Sequence, residues 1–153
     1  MTEFLPIHLV YSNKDRAQML ENSLISSGIN SELHDIKNIN SNDLLKIYSG
    51  EYFEKTLLDI TIVHYKILSD HINKNKSCPC IILCDNILIT DNFLSDINNI
   101  LDNVNDYDVV TFDNGNKLSV HSVQKFTKKT IYGYIITINM MKKIKKYIEG
   151  SKF

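Results

Sequence analysis

The chain has 153 residues, of which 43% are hydrophobic and 23% are charged, and its formal net charge is −1. This usage is typical of one globular domain, which we place at residues 1–153, and it excludes a disordered or fibrous chain. No apolar run reaches the roughly 18 residues of a membrane helix, and residues 1–6 lack the basic start and apolar core of a secretion signal. The sequence therefore predicts a cytoplasmic protein.

The three cysteines, Cys78, Cys80 and Cys84, cannot all pair with one another. A zinc site would be more convincing with a second closely spaced pair of cysteines, which the sequence lacks. We expect reduced thiols that serve as small buried apolar groups.

Charge is distributed unevenly along the chain. Residues 1–116 carry 8 basic and 17 acidic side chains, whereas residues 117–153 carry 9 basic and 1 acidic. Such a basic end can attract phosphates, an anionic lipid surface, nucleic acid or the protein's own acidic half. Nucleic acid is not expected, because neither aromatic interleaving nor an RNA-binding signature accompanies the lysines.

The first elements predict a strand, a helix and a second strand, which begin a βαβ unit. Residues 4–11 (FLPIHLVY) form the first strand and residues 29–36 (INSELHDI) the second. The helix between them covers residues 13–28, and Gly28 supplies its stop. Its apolar positions recur at helical spacing and are Ala17, Leu20, Leu24 and Ile25.

Two predicted helices follow. Residues 43–50 form a short helix after an Asn/Ser-rich turn, and residues 54–75 form a long amphipathic one. The apolar-rich face of the long helix contains Leu57, Ile60, His64, Ile67, Leu68 and His71. Since the opposite face is charged, we expect one side to pack against a sheet and the other to meet water.

Residues 79–83 are a near-continuous apolar run, which is typical of a central strand covered on both faces. The remaining predicted elements are a helix over 91–104 capped by Thr90 or Asp91, strands over 107–112, 117–126 and 130–138, and a helix over 140–148 capped by Asn139. This alternation predicts a single α/β domain around a mixed, mostly parallel sheet.

Asp85 follows the run that we expect to be the most buried strand. In open α/β sheets, ligands bind beyond the carboxyl ends of the strands. A carboxylate there holds a divalent cation against a diphosphate or accepts a hydrogen bond from a ribose hydroxyl. The alternative is that Asp85 only ends the strand and binds neighbouring backbone amides.

Four segments, in order along the chain, resemble family 25 glycosyltransferases, the group of lipooligosaccharide galactosyltransferases and collagen glucosyl- and galactosyltransferases. They are residues 7–29, 57–72, 80–93 and 130–148. Arg16 stands where the family's opening helix has an early arginine. His64 stands at the histidine of the family's Ser-His pair, which is Val63-His64 in this chain. Asp85 lies in the acidic signature, and the last segment is similar to the family's Thr-x-x-x-Tyr strand and the Ala-Lys-Lys helix that follows it.

The resemblance implies a GT-A-like, nucleotide-binding α/β sandwich that transfers a sugar from a nucleotide-sugar donor to a glycan or protein-linked acceptor. Asp85 would be a catalytic-site acid that binds the donor with Asn86, either through Mn²⁺ or Mg²⁺ or directly at the ribose. Asp113, just past a predicted strand, is the candidate base on the acceptor side. His64 is a further candidate catalytic residue.

The acidic signature also departs from the family pattern. A Glu-Asp-Asp triplet is Cys84-Asp85-Asn86 here, and a thiol and a neutral amide hold a hard cation more weakly than carboxylates do. Arg16, Lys128 and Lys129 are then the candidates to contact the donor phosphates. Two functions stay open: an active hexosyltransferase, or a catalytically inactive relative that acts as a nucleotide-sugar-binding or scaffold protein.

Structural alternatives accompany three of these assignments. Arg16 is alternatively a solvent-facing residue beside Asp15, and His64 a satisfied core histidine. The basic helix over 140–148 is an amphipathic helix that either packs on the core or makes a peripheral contact with an anionic membrane.

Overall fold

The computed structural model describes residues 5–38, 55–74, 78–87, 89, 93–103, 107–112, 118–121 and 133–150. The strands in these ranges are β1 (Ile7–Tyr11), β2 (Glu32–Asp35), β3 (Cys80–Cys84), β4 (Val109–Phe112), β5 (Leu118–His121) and β6 (Gly133–Ile136). The α-helices are α1 (Lys14–Ser26), α2 (Lys55–Asn73), α3 (Phe93–Asn103) and α4 (Ile138–Gly150), and a 3₁₀ turn covers Ile36–Asn38. The predicted helix over 43–50 and the caps Thr90 and Asp91 lie outside the described residues.

The strands form one mixed sheet in the order β2-β1-β3-β6-β4-β5. β1 pairs in parallel with β2 and with β3, whereas β6 is antiparallel to β3 and β4, and β5 is antiparallel to β4. β1, β2, β3 and β4 therefore point the same way. The α/β class and the mixed sheet that the sequence predicts are confirmed.

Helices cover both faces of the sheet. On one face, α1 and α3 pack against the strands through Leu20, Leu24, Phe93 and Ile97. On the other face, α2 and α4 pack through Val63, Ile67, Leu68 and Met141. The strand between them, β3, is covered on both sides, since Ile81, Ile82 and Leu83 are each 0% exposed. The continuous apolar run had predicted this burial.

Helix α1 shows how local sequence sets the ends of an element. The side chain of Asn13 caps it by accepting a hydrogen bond of 3.0 Å from the backbone amide of Arg16. After the helix, Gly28 adopts a φ of 77°, a conformation that favours glycine and ends the helix. Ile25, predicted to join the buried stripe, is 54% exposed. The prediction was wrong because each helical step turns about 100°, which carries Ile25 away from Leu24 and the core.

Helix α4 begins at Ile138, so Asn139 is not its cap. Instead, the Thr137 hydroxyl accepts a hydrogen bond of 3.4 Å from the Met140 amide, and the Thr137 carbonyl accepts one of 2.9 Å from the Met141 amide. Asn139 is exposed in the first turn. Threonine and asparagine are both good caps, so the sequence alone did not separate them.

The described helices also bear on membrane insertion. Within those ranges, none is both long and apolar enough to cross a bilayer.

Candidate functional site

The ends of β1 and β3 form the topological switch point of the sheet. β2 and β3 lie on opposite sides of β1 in the sheet. The chain reaches β2 from β1 through α1, which packs on one face, and it then reaches β3 through α2, which packs on the other face. In open α/β sheets, such a reversal leaves a crevice at the carboxyl ends of the two strands, and ligands bind there. Ser12 directly follows β1 and Asp85 directly follows β3.

Asp85 joins these two strand ends. Its Oδ2 accepts hydrogen bonds from the backbone amides of Ser12, at 3.0 Å, and Asn13, at 2.9 Å. The Ser12 hydroxyl lies 3.5 Å from the same oxygen. Within the described residues, no donor is bonded to Oδ1. The carboxylate therefore binds backbone amides at the end of another strand rather than those of its own turn, and Oδ1 takes no part in these bonds.

Arg16 and Asn86 lie next to this junction. Arg16 is exposed in the first turn of α1. Its backbone amide donates to the Asn13 side chain, and the Asn13 amide donates to Asp85, so Asn13 links the two residues. Asn86 is exposed in the turn after β3. The structure thus brings three of the predicted donor-binding residues into one region of the chain's surface.

The triplet at Asp85 fits a hard divalent cation poorly. Burial and the nearby Asp85 raise the pKa of the Cys84 thiol to about 11, so this thiol stays protonated at neutral pH. The thiolate is the form that binds metals. Asn86 offers only a neutral amide, and one oxygen of Asp85 is already bonded to backbone amides. Mg²⁺ and Mn²⁺ prefer charged oxygen ligands, so we derive no step through such an ion.

His64 lies between α2 and the sheet. Its Nδ1 is 2.5 Å from the hydroxyl oxygen of Tyr134 on β6, and the two rings stack with centroids 5.6 Å apart. Burial, and to a smaller degree His34, lowers the pKa of His64 to about 4. Burial raises the pKa of Tyr134 well above its usual value. This is the geometry of a neutral, hydrogen-bonded, half-buried histidine. Its catalytic role stays a prediction.

The remaining predicted site residues, Asp113, Lys128 and Lys129, lie outside the described residues. Their roles stay predictions.

The apolar side of α4 is occupied by the core. Met141 is buried, and Met140 and Ile144 pack against the same cluster. Lys142, Lys143 and Lys146 are exposed on the opposite side. A peripheral membrane contact stays a prediction, and of these residues it would use the lysines.

Sequence reasoning missed a second group of polar side chains, at the amino-terminal ends of β1 and β2. His8 of β1 is in register with Glu32 of β2, and His34 follows two residues later on the same strand. His8 Nδ1 lies 3.0 Å from His34 Nε2 and 3.6 Å from Glu32 Oε2. The sequence did contain one signal for this group: Glu32 and His34 are two residues apart on a predicted strand, and residues at that spacing share a face.

A cavity of 210 Å³ adjoins this group. Its polar lining includes His8, Glu32, His34, Asp70, His71 and Lys74. Burial lowers the pKa of His34, and the smaller effects of Glu32 and Asp70 oppose that shift. His71 is itself buried, and its Nε2 lies 2.7 Å from the Cys78 carbonyl oxygen.

This cavity is distinct from the switch point. His8 lies on β1, and Ser12, four residues later, directly follows that strand. An extended strand rises about 3.3 Å per residue, so roughly 13 Å separates the two residues. The chain therefore presents two polar regions, one at each end of the same strand.

No protein-family model matches the chain, and no curated protein matches it at a significant level. The resemblance to family 25 glycosyltransferases therefore depends on the four sequence segments alone.

Proposed function

We propose that this chain is a glycosyltransferase-like protein with a GT-A-like fold, which binds a nucleotide sugar at the ends of β1 and β3. The observation that carries the proposal is the place of Asp85, an acid at the switch point of a mixed α/β sheet. The four segments that resemble family 25 glycosyltransferases suggest the class of ligand.

The contacts of Asp85 suggest how the donor is held. Oδ2 fixes the turn between β1 and α1, while Oδ1, to which none of the described residues donates, would accept a hydrogen bond from a ribose hydroxyl. The first turn of α1 carries the positive end of the helix dipole and the exposed Arg16. Both features favour the negative charge of a diphosphate.

Transfer would break the bond between the anomeric carbon of the sugar and the diphosphate oxygen, and would form a bond from that carbon to an acceptor hydroxyl. The hydroxyl proton needs a base, for which Asp113 is the candidate. Negative charge develops on the departing diphosphate, and Arg16, Lys128 and Lys129 are the candidates to neutralise it.

The second candidate function is nucleotide-sugar binding without turnover. The protonated thiol of Cys84 and the neutral amide of Asn86 favour this second function. They replace the two outer carboxylates of the family's Glu-Asp-Asp triplet, and carboxylates would bind a metal ion more strongly. In this case the protein is an inactive relative that acts as a binding or scaffold protein.

The test of binding is a thermal-shift panel of UDP- and GDP-sugars, each with EDTA and with Mn²⁺. One donor is expected to raise Tm, because a ligand at 100 times its Kd stabilises the native state by about 2.7 kcal/mol. Asp85→Asn keeps an oxygen for the two amides and loses the charge, so it should reduce the shift. Asp96→Asn, at an exposed acid of α3, is the matched control. If no nucleotide sugar shifts Tm, the proposal is wrong.

Release of UDP or GDP from the donor found in that panel separates the two candidates. Turnover that falls in Asp113→Asn supports the transferase. Binding with no turnover in the presence of acceptor glycans or proteins supports the inactive relative.

A further inference from the structure

Three potential metal ligands converge on one face at the edge of the sheet. Glu32 and His34 are two residues apart on β2, so their side chains point to the same face. His8 stands opposite Glu32 on β1, and Ile67 of α2 lines the same cavity, which places the group on the face that α2 covers. The backbone pairing of two strands, rather than a loop, thus holds all three side chains.

The distances suit a tetrahedral cation. The donor atoms of His8, Glu32 and His34 all lie within 4.8 Å of one another. The two separations from His8 Nδ1 are 3.0 Å to His34 Nε2 and 3.6 Å to Glu32 Oε2. A Zn–N bond of about 2.0–2.1 Å and tetrahedral angles place neighbouring ligand atoms roughly 3.3 Å apart. The observed pair of distances brackets that value.

The surroundings leave room for a further ligand. The side chain of His8 is 13% exposed and that of Glu32 is 64% exposed, so the group opens from the protein towards solvent. The adjoining cavity has a volume of 210 Å³, enough for several waters.

We propose that His8, Glu32 and His34 bind a divalent transition-metal cation of the Zn²⁺ type, with a fourth position open to the cavity. Two imidazoles and one carboxylate form a ligand set that zinc and its neighbours accept, whereas Mg²⁺ and Ca²⁺ prefer oxygen alone. Three protein ligands with an open position are the arrangement of a reactive or exchangeable site rather than a closed structural one. The site is separate from the proposed nucleotide crevice at the other end of β1.

The competing explanation is a hydrogen bond between the two histidines with Glu32 as a nearby ion-pair partner. Each imidazole would bind a cation through the same ring nitrogen that takes part in the hydrogen bond between His8 and His34. A bound cation must therefore replace that hydrogen bond. The two explanations differ in whether the full chain takes up a metal, which a titration measures.

The test is a Zn²⁺ titration of the full chain. The chain is first stripped of metal with EDTA, the EDTA is removed, and a chromophoric chelator then competes with the chain for Zn²⁺. We expect one Zn²⁺ per chain. Glu32→Gln and His34→Gln should each weaken binding by more than the roughly 10- to 100-fold that loss of an outer-shell partner costs. Glu21→Gln is the matched control for charge, and Cys78→Ser controls for binding by thiols. Glu32 is exposed, so its variant should fold, which circular dichroism checks.

Co²⁺ gives a second readout with the same variants. The proposal predicts visible absorption of a nitrogen- and oxygen-ligated site without a thiolate charge-transfer band. It is overturned if the chain binds no Zn²⁺, if Glu32→Gln and His34→Gln bind as the wild type does, or if Cys78→Ser abolishes binding.

Discussion

The carboxylate of Asp85 accepts a hydrogen bond of 2.9 Å from the backbone amide of Asn13, the residue that caps α1. The two residues are 72 positions apart in the sequence. The end of β3 therefore fixes the turn that leads from β1 into α1. Any substitution at Asp85 acts on this junction as well as on a bound ligand.

Asp85→Ala is expected to lower the free energy of unfolding by about 2–3 kcal/mol. It removes two hydrogen bonds to a charged acceptor and leaves the Ser12 and Asn13 amides without that partner. Asp85→Asn should cost less, because the amide oxygen can still accept. Urea denaturation measures both, with Asp96→Asn as the exposed control. Equal stability of Asp85→Ala and the wild type would show that the junction does not depend on this carboxylate.

His64 is expected to make the fold sensitive to acid. Its pKa is about 4 in the folded state and 6.5 when exposed, so the unfolded chain binds the proton more readily. Stability therefore falls as the pH drops from about 6.5 to about 4. With 1.36 kcal/mol per pKa unit, the loss due to His64 approaches about 3 kcal/mol at pH 4.

The double variant His64→Phe with Tyr134→Phe tests this assignment, since it removes the histidine and its hydroxyl partner together. Its stability should fall less steeply between pH 7 and pH 4 than that of the wild type. Tyr134→Phe alone keeps the half-buried histidine and should keep the steep fall. A double variant with the wild-type slope would mean that other groups cause the acid sensitivity.

Gly133 and Gly28 should respond to alanine for different reasons. A Cβ on Gly133 would lie 2.9 Å from the Ile82 carbonyl oxygen, a backbone atom of the neighbouring strand, so we expect a loss of about 1–3 kcal/mol. A Cβ on Gly28 would meet nothing within 4 Å, but its φ of +77° costs roughly 1–2 kcal/mol for a residue with a side chain.

Asparagine distinguishes the two glycines, because it tolerates positive φ better than alanine does. Gly28→Asn should be more stable than Gly28→Ala, whereas Gly133→Asn should be at least as damaging as Gly133→Ala. Thermal denaturation of the four variants checks this order, and the reverse order at Gly28 would contradict the backbone explanation.

The sequence predicted the elements of this fold better than their arrangement. Periodicity located β1, α1 and α2, and the apolar run at 79–83 located a strand buried on both faces, because these signals are local. The order of the sheet is not local. β6 lies between β3 and β4, although β4 and β5 precede it in the chain, and no pattern within any strand specifies that insertion.

In the candidate site, too, local features could be predicted and contacts between distant segments could not. Asp85 was predicted from its place after a buried strand, which is a local feature. Its bonds to the Ser12 and Asn13 amides depend on the pairing of β1 with β3. The group of His8, Glu32 and His34 was missed because only the register between β1 and β2 brings the three together.

The central claim is that a nucleotide sugar binds at the carboxyl ends of β1 and β3, and the most direct measurement is a ¹⁵N amide NMR titration with the donor that shifts Tm. The amides of Ser12, Asn13, Asp85 and Asn86 should change most, while those of His8 and Glu32, at the other end of the strands, should stay in place. Changes confined to His8 and Glu32, or no changes at Ser12 and Asp85 with saturating donor, would contradict the claim.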